Sequence, residues 1–479
     1  MAAIETIRDW NGCLSALREL LGERLEVSGA ARDHHGHDES HHPAALPDAV
    51  VFPETTEEVA AIARICSAHR VPMIPFGAGT GLEGGVTAVA GGVSIDMGRM
   101  NKVLAIHRED MDAIVQAGTS RLTLNTFLRD TGLFFPVDPG VDASLGGMAA
   151  TRASGTNAVS FGTMRENVLG LTVVLADGRI LRTGGRSRKS ASGYDLTRLF
   201  VGSEGTLGII TEVTLRLHPI PDADLVAVAT FSTLGDAVKA VTDTMQAGIA
   251  IGRVELLDDD LMAVVRRHSD IDFEIAPTLI FEFHGEAEEA SRTAEWVAAI
   301  VAENNGRNFR RATTPEERSR LWAIRHDALP WARQDRPGSR FWPTDVCVPI
   351  SKLPECILGT KADLAQSSAP GYIVGHVGDG NFHCTFTIDP DSAGELADAA
   401  RLNDRLVRRA IACGGTCTGE HGIGVGKRDY LELEHGAEAV AVMESLKAAL
   451  DPHGLLNPGK IFPDIQAAEH PGAPVCNRR

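Results

Sequence analysis

The 479-residue sequence holds eight cysteines, at positions 13, 66, 347, 356, 384, 413, 417 and 476, and no two of them form a Cys-x-x-Cys pair. That excludes an iron-sulfur run, and scattered unpaired thiols point to a reducing compartment. No stretch reaches the roughly 20 apolar residues that a transmembrane segment needs. The start, Met1-Ala2-Ala3-Ile4-Glu5-Thr6-Ile7-Arg8-Asp9-Trp10, lacks both the basic-then-apolar order of a secretory signal and the Arg-rich character of a transit peptide. A cytoplasmic protein is expected, at most peripherally associated with the inner membrane through a partner. Positive charge is short as well: 46 Lys and Arg stand against 64 Asp and Glu. The resulting net charge of −18 argues against nucleic acid and anionic membrane as main partners.

Glycine is what the chain has in quantity. Its 49 glycines imply many tight turns and close backbone approaches to a ligand. The length exceeds one ordinary core, so two or three domains are expected. Residues 1–45 read as a helical lead-in, with Trp10, Leu14, Leu17, Leu20 and Leu21 at helical spacing. Within it, His34, His35, His37, His41 and His42 fit no usual metal spacing, and a solvated loop accounts for them.

From residue 46 the pattern becomes strand, helix, strand, and the second strand runs into Gly77-Ala78-Gly79-Thr80-Gly81-Leu82-Glu83-Gly84-Gly85. Residues 79–84 spell G-x-G-x-x-G, but a dinucleotide fingerprint must open a helix, and residues 86–96 read as loop and strand. The small residues still expose backbone N–H groups in a nest suited to a pyrophosphate. A second concentration of Gly and Ala, residues 136–167, suggests backbone lying against a large flat ligand. His218-Pro219-Ile220-Pro221 breaks the pattern, placing a boundary at 220. Residues 221–450 alternate strands with longer helices, among them one that starts at Thr314-Pro315 with Glu317 as a capping-box partner. It carries Arg318, Trp322, Arg325 and Leu329 on one face. The turn-rich segment 451–479 is expected to pack back on the first domain.

The chemistry concentrates in His376-Val377-Gly378-Asp379-Gly380-Asn381-Phe382-His383 and in Gly419-Glu420-His421-Gly422. If Asp379-Gly380 is a two-residue hairpin loop, His376 faces His383 across the strands, with Cβ atoms roughly 5 Å apart. Both rings could then hold one ion, Glu420 could be a third ligand, and three protein ligands leave a position open for substrate. His421 remains free to move a proton.

These motifs resemble a known family. Pro75-Phe76-Gly77-Ala78-Gly79-Thr80-Gly81, the 146–157 segment and Gly202-Ser203-Glu204-Gly205-Thr206-Leu207-Gly208 are similar to the FAD domain of the vanillyl-alcohol-oxidase superfamily. His376 to His383, Gly419 to Gly422 and Leu456-Asn457-Pro458-Gly459-Lys460 narrow the resemblance to flavin-linked 2-hydroxyacid dehydrogenases. Within these, Phe135-Pro136-Val137-Asp138-Pro139-Gly140 and Thr344-Asp345-Val346-Cys347-Val348-Pro349 look most like the D-lactate dehydrogenases that pass electrons to cytochrome or another carrier.

The resemblance implies an α+β fold: a two-subdomain FAD-binding domain of the PCMH type over 46–220, and an α/β cap with a mainly antiparallel sheet over 221–450. It implies FAD on Pro75, Gly77, Ala78, Gly79, Thr80, Gly81 and Leu82, with Pro139, Ser144, Gly147, Met148, Ala150, Ser154 and Gly155 beside it. Gly162, Met164, Val168, Glu204, Gly205, Gly208, Ile210 and Asn457 complete the implied flavin site. No His lies between Phe76 and Gly85, so the FAD is expected to be non-covalent. One divalent metal (Zn, Mn or Fe) is implied on His376, His383 and Glu420, with Arg325 holding the substrate carboxylate and His421 as base. The expected partners are a small 2-hydroxy acid and an electron acceptor, a protein or a quinone, and a homo-oligomer is expected. Relatives acting on D-2-hydroxyglutarate carry a Lys where this chain has Phe341-Trp342-Pro343, which favours D-lactate, with Arg340 the nearest basic group. The alternatives are a glycolate oxidase FAD subunit, a D-2-hydroxyglutarate dehydrogenase, a flavin-dependent alkyl-transferase, and a catalytically silent FAD-binding module.

Overall fold

The computed structural model describes residues 8–221, 223–270, 273–312 and 314–463. The reading of the first seven residues, Cys476 and the rest of the 464–479 tail lie outside the described residues.

Two small sheets share the first core. Strands Ala49–Val51, Val93–Asp96 and Met73–Phe76 pair in parallel, and Leu25–Glu26 closes that sheet at one edge. Between Ala49–Val51 and Met73–Phe76 in the chain runs helix Thr56–Ala68, started by the Thr55 side chain accepting from the Glu58 N–H. Its inner face, Val59, Ile62, Ala63 and Cys66, is buried against a five-stranded antiparallel sheet. That sheet runs Val103–His107, Asp112–Gln116, Ile209–Arg216, Val168–Val174, Ile180–Gly184. Residues 77–92 contain no helix, so the G-x-G-x-x-G run opens none, in agreement with the sequence reading.

The histidine-rich lead-in is a solvated loop only in part: His34 and His37 are exposed, but the others are not. His35 is 3% exposed, its Nδ1 lies 2.7 Å from the Ala31 carbonyl and its Nε2 lies 2.9 Å from Asp96 Oδ2. The ring of His41 stacks on Trp342 with centroids 3.5 Å apart. Partners about 60 and 300 residues away leave no trace in local spacing, which is why composition alone misread this segment.

Residues beyond 222 build an eight-stranded, wholly antiparallel sheet. Its order is Gly306–Arg311, Ala223–Phe231, Thr278–Gly285, Arg253–Leu257, Gly371–Gly375, Asn381–Ile388, Arg340–Pro343, with Val346–Cys347 pairing beside Asn381–Ile388. Its central strands are apolar on both faces because helices cover both. Along Ala223–Phe231, Ala227, Ala229 and Phe231 enter one core with helices Leu234–Gln246 and Ala287–Glu303. Val226 and Val228 enter the other, with Asp259–His268 and Pro315–Gln334. A period of two therefore divides two interiors here, rather than an interior from solvent. Helix Pro315–Gln334 has the expected Thr314/Glu317 capping box and runs through Pro330 instead of ending before it.

The hairpin register differs from the expectation. Val374, not His376, faces His383, and residues 376–380 form a five-residue connection with turn bonds from Asp379 N–H to His376 O (3.3 Å) and Gly380 N–H to Val377 O (3.4 Å). Two residues beyond Val374, His376 keeps the same side of the sheet as His383 and meets it diagonally, with ring centroids 5.5 Å apart.

Candidate active site

A cavity of about 670 Å³ lies where the two halves meet. One wall is the glycine loop: Pro75, Gly77, Ala78, Gly79, Thr80, Gly81 and Leu82. Facing it are Pro139, Ser144, Gly147, Met148, Ala150 and Ser154, and a third side is made by Glu204, Gly205, Gly208, Ile210 and Asn457. Four residues of the implied flavin site do not line it. Met164 and Val168 are 0% exposed in the first core, where apolar side chains gain most from burial. Gly155 is pressed against Asp138 and Gly162 against Glu166, as a Cβ at either position would show.

The lining fits a large, flat, phosphate-bearing ligand. Among the described residues, no backbone N–H from positions 78–82 donates to a protein acceptor, and Gly79 turns the loop with a φ of +70°. A Cβ on Gly77 would collide with the Ser144 hydroxyl, so loop and helix Leu145–Thr151 approach through bare backbone. Asn457 is tied by its amide N–H to Gly85 O (3.0 Å) and Glu204 O (2.7 Å), leaving its buried Oδ1 without a partner.

At the other end of the cavity the acid-base groups converge. His376 Nδ1 lies 2.6 Å from Glu255 Oε1, and His383 Nδ1 donates to the Thr344 carbonyl at 3.0 Å. Each ring therefore turns Nε2 to one atom, Glu420 Oε1, at 3.4 Å from His376 and 3.2 Å from His383. The second oxygen, Glu420 Oε2, is buried and unpartnered. Burial would raise the Glu420 carboxyl, but the His376 charge and the hydrogen bonds of both rings hold it well below the usual range. Burial would lower His376, but Glu255 and Glu420 raise it well above the ordinary imidazole value. Two imidazole nitrogens and a carboxylate oxygen within 4.8 Å of one another, with Nδ1 of each ring held by a second partner, fit a divalent cation.

His421 stacks on His383, centroids 5.0 Å apart and planes 5° from parallel. Burial lowers its pKa, favouring the neutral ring that a base requires. Its Nδ1 is enclosed and unpartnered, leaving Nε2, 4.0 Å from Glu420 Oε1, to reach the cavity. Arg325 lines the same space; its Nε donates to Glu255 Oε2 at 2.7 Å, and among the described residues its terminal nitrogens have no protein partner. Next to it the wall is apolar: Leu329, Pro330, Phe341, Pro343 and Val374. Arg340 is exposed and does not reach the cavity.

The sequence reading missed two buried carboxylates. Glu255 (0% exposed) joins Arg325 to His376, and Asp345 (0% exposed) accepts from the backbone N–H groups of Glu420 (2.8 Å) and His421 (2.9 Å). The signal available was a lone acid inside each of two apolar runs, Arg253-Val254-Glu255-Leu256-Leu257 and Thr344-Asp345-Val346-Cys347. A charge buried in a strand has to be paired.

Comparison with known proteins agrees with this architecture. The family model for an FAD binding domain matches residues 47–184, and that for the C-terminal domain of FAD linked oxidases matches 220–461. A probable mitochondrial D-lactate dehydrogenase of Danio rerio is 52% identical over 96% of this chain and 92% of its own. The mitochondrial D-lactate dehydrogenase [cytochrome] of Arabidopsis thaliana is 46% identical over 94% of this chain and 80% of its own. The chain belongs to the FAD-linked oxidase family. In fold it superposes on 4-ethylphenol oxidase from Gulosibacter chungangensis with a TM-score of 0.78, at 21% identity over 95% of this chain and 97% of that one. The lining of the backbone-walled cavity fits the FAD that such a binding domain implies. The relatives' names place those proteins in mitochondria, so the cytoplasmic expectation finds no support in them. Among the described residues no helix is long and apolar enough to cross a membrane.

Proposed function

We propose that the chain oxidises D-lactate to pyruvate, with electrons leaving through FAD to a cytochrome, another carrier protein or a quinone. The observation that carries this is the single carboxylate of Glu255, which holds Arg325 with one oxygen and His376 with the other. A carboxylate anchor and a hydroxyl-handling cluster therefore stand side by side in a flavin protein's cavity, as a 2-hydroxy acid requires. The printed names of the relatives support the same substrate.

Arg325 uses Nε internally and offers its two terminal nitrogens to the substrate carboxylate, fixing the orientation of the adjacent C–H. His421 Nε2 accepts the hydroxyl proton as the C–H electrons depart. FAD, held non-covalently by residues 77–82 and their neighbours, supplies the hydride acceptor. His376, His383 and Glu420 would hold the divalent ion, which supplies Lewis acidity toward the hydroxyl. The wall of Leu329, Phe341 and Val374 suits a methyl or longer alkyl tail, and the basic side chain that lines the cavity beside it, His326, has its pKa lowered by burial and by the Arg325 charge, which favours the neutral ring and disfavours 2-hydroxyglutarate. Glycolate, with no tail, would leave that wall unused.

The test is anaerobic mixing of the metal-replete holoenzyme with D-lactate, L-lactate, glycolate and D-2-hydroxyglutarate in turn, following flavin absorbance. Fast bleaching by D-lactate alone is expected. Faster bleaching by glycolate would overturn the substrate, and bleaching by none would overturn the reaction class.

A further inference from the structure

The segment carrying Glu420 and His421 has no regular secondary structure, yet it has to hold both side chains against the cavity. From the cap side Asp345 receives the backbone N–H groups of Glu420 and His421. From the FAD-binding half a second carboxylate approaches: Glu204 Oε1 accepts from Ile423 N–H at 2.7 Å and Oε2 from Gly424 N–H at 2.8 Å. Both oxygens are spent on one turn of a loop 220 residues away.

Glu204 is itself firmly set. It is 9% exposed and sits at a φ of +50°, a region that non-glycine residues occupy only when their surroundings enforce it. Its N–H donates to Ala150 O (2.9 Å) and its carbonyl accepts from the Asn457 side chain (2.7 Å), both of these residues lining the cavity. The loop is shaped to receive it. Gly422, at φ +85°, has no room for a Cβ, which would stand 2.9 Å from Glu204 Oε1, and a Cβ on Gly424 would overlap the Glu83 carbonyl.

We infer that Glu204 is a positioning residue: through the Ile423 and Gly424 amides it fixes Glu420 and His421 relative to the flavin-bearing wall on which Glu204 stands. This rests on the proposed dehydrogenase reading for what His421 does, but the clamp itself does not need that reading. Burial raises the Glu204 carboxyl, but both of its oxygens accept N–H bonds, as a carboxylate's do, and charge-assisted bonds of this kind are the strong ones. A base displaced by about 1 Å costs rate far more than binding.

Two variants test it in the FAD-loaded full chain. Glu204→Gln keeps the side chain's shape but turns an N–H₂ toward an N–H. Gly422→Ala leaves Glu204 intact and presses on it from the opposite side. Both are expected to raise amide exchange across residues 419–427 by about tenfold or more, with the core strand Met73–Phe76 unchanged. With D-lactate, the limiting rate of flavin reduction in Glu204→Gln should fall about 30-fold or more while half-saturation moves less than about threefold. In a His421→Ala background the same substitution should cost clearly less than in the parent, because the share of the loss that passes through His421 is already gone. Unchanged exchange across 419–427, or losses that multiply in the double variant, would overturn the inference. If the unmodified protein is not reduced by D-lactate, the substrate reading fails and the exchange measurement alone decides the clamp.

Discussion

Glu255 and His376 share a hydrogen bond of 2.6 Å, and the other oxygen of the same buried carboxylate receives Arg325 Nε at 2.7 Å. Burial would push the Glu255 carboxyl up, but the His376 and Arg325 charges bring it below its ordinary value, so it stays ionised. A fixed negative charge at Nδ1 sets the ring's tautomer and makes Nε2 a better electron donor. Glu255→Gln is therefore expected to weaken Zn²⁺ or Mn²⁺ binding by about 10- to 100-fold, measured by titrating the metal-free, FAD-loaded protein. Equal affinities would show that the ring needs no such partner.

Arg325 presents a planar fork that a lysine cannot reproduce. Arg325→Lys keeps a positive charge near Glu255 but replaces paired N–H donors with a point charge. The half-saturating D-lactate concentration in flavin reduction should rise by about 10- to 100-fold, with a smaller change in limiting rate. A variant with normal half-saturation would remove Arg325 from the substrate site.

How far these groups could be read without the structure differs by residue. His376, His383, Glu420 and His421 stand in short motifs whose glycines allow close backbone approach, and the structure does bring them together. The register that was meant to pair the histidines was nevertheless off by two residues. Strand alternation preserves the side of the sheet on a two-residue shift, so the right neighbours emerged from the wrong turn. Glu255 and Asp345 were passed over, although each is a lone acid in an apolar run, because the groups that give them a role, Arg325, His376, Glu420 and His421, lie 70 or more residues away. Partners 61 residues away in one case and far beyond that in the other hid the burial of His35 and the His41–Trp342 stack. Met164 and Val168 came into the implied flavin site with the resemblance, and their side chains lie in the first core instead of on the cavity wall.

Removing the His421 ring should separate proton transfer from binding. His421→Ala deletes Nε2 without touching the residues that line the glycine loop. Flavin reduction by D-lactate is expected to slow by about 10²- to 10⁴-fold, the range for a positioned general base. FAD content should be unchanged. A reduction rate within a few-fold of the parent would mean that the hydroxyl proton leaves by another route.

A last prediction concerns stability and lies away from the chemistry. His218 sits beneath the junction of the two halves, its Nε2 2.9 Å from Asn167 Oδ1 and its ring edge-on to Phe161 at 5.0 Å between centroids. Burial, with the Arg216 and Arg188 charges adding to it, pushes its pKa down to about 4 from the usual 6.5. A depressed folded-state pKa means that the unfolded chain binds the proton first. The contribution is therefore complete above about pH 6.5 and is lost progressively as pH falls towards about 4. Thermal melting of the FAD-loaded protein at intervals from pH 7.5 to 4.5 should show a steeper acid loss in the parent than in His218→Gln, which cannot take up the proton. The two curves should run parallel above about pH 7 and converge below it. Parallel curves throughout would mean that His218 titrates alike in the folded and unfolded chain, and that the ring is more open to water than its packing against Phe161 implies.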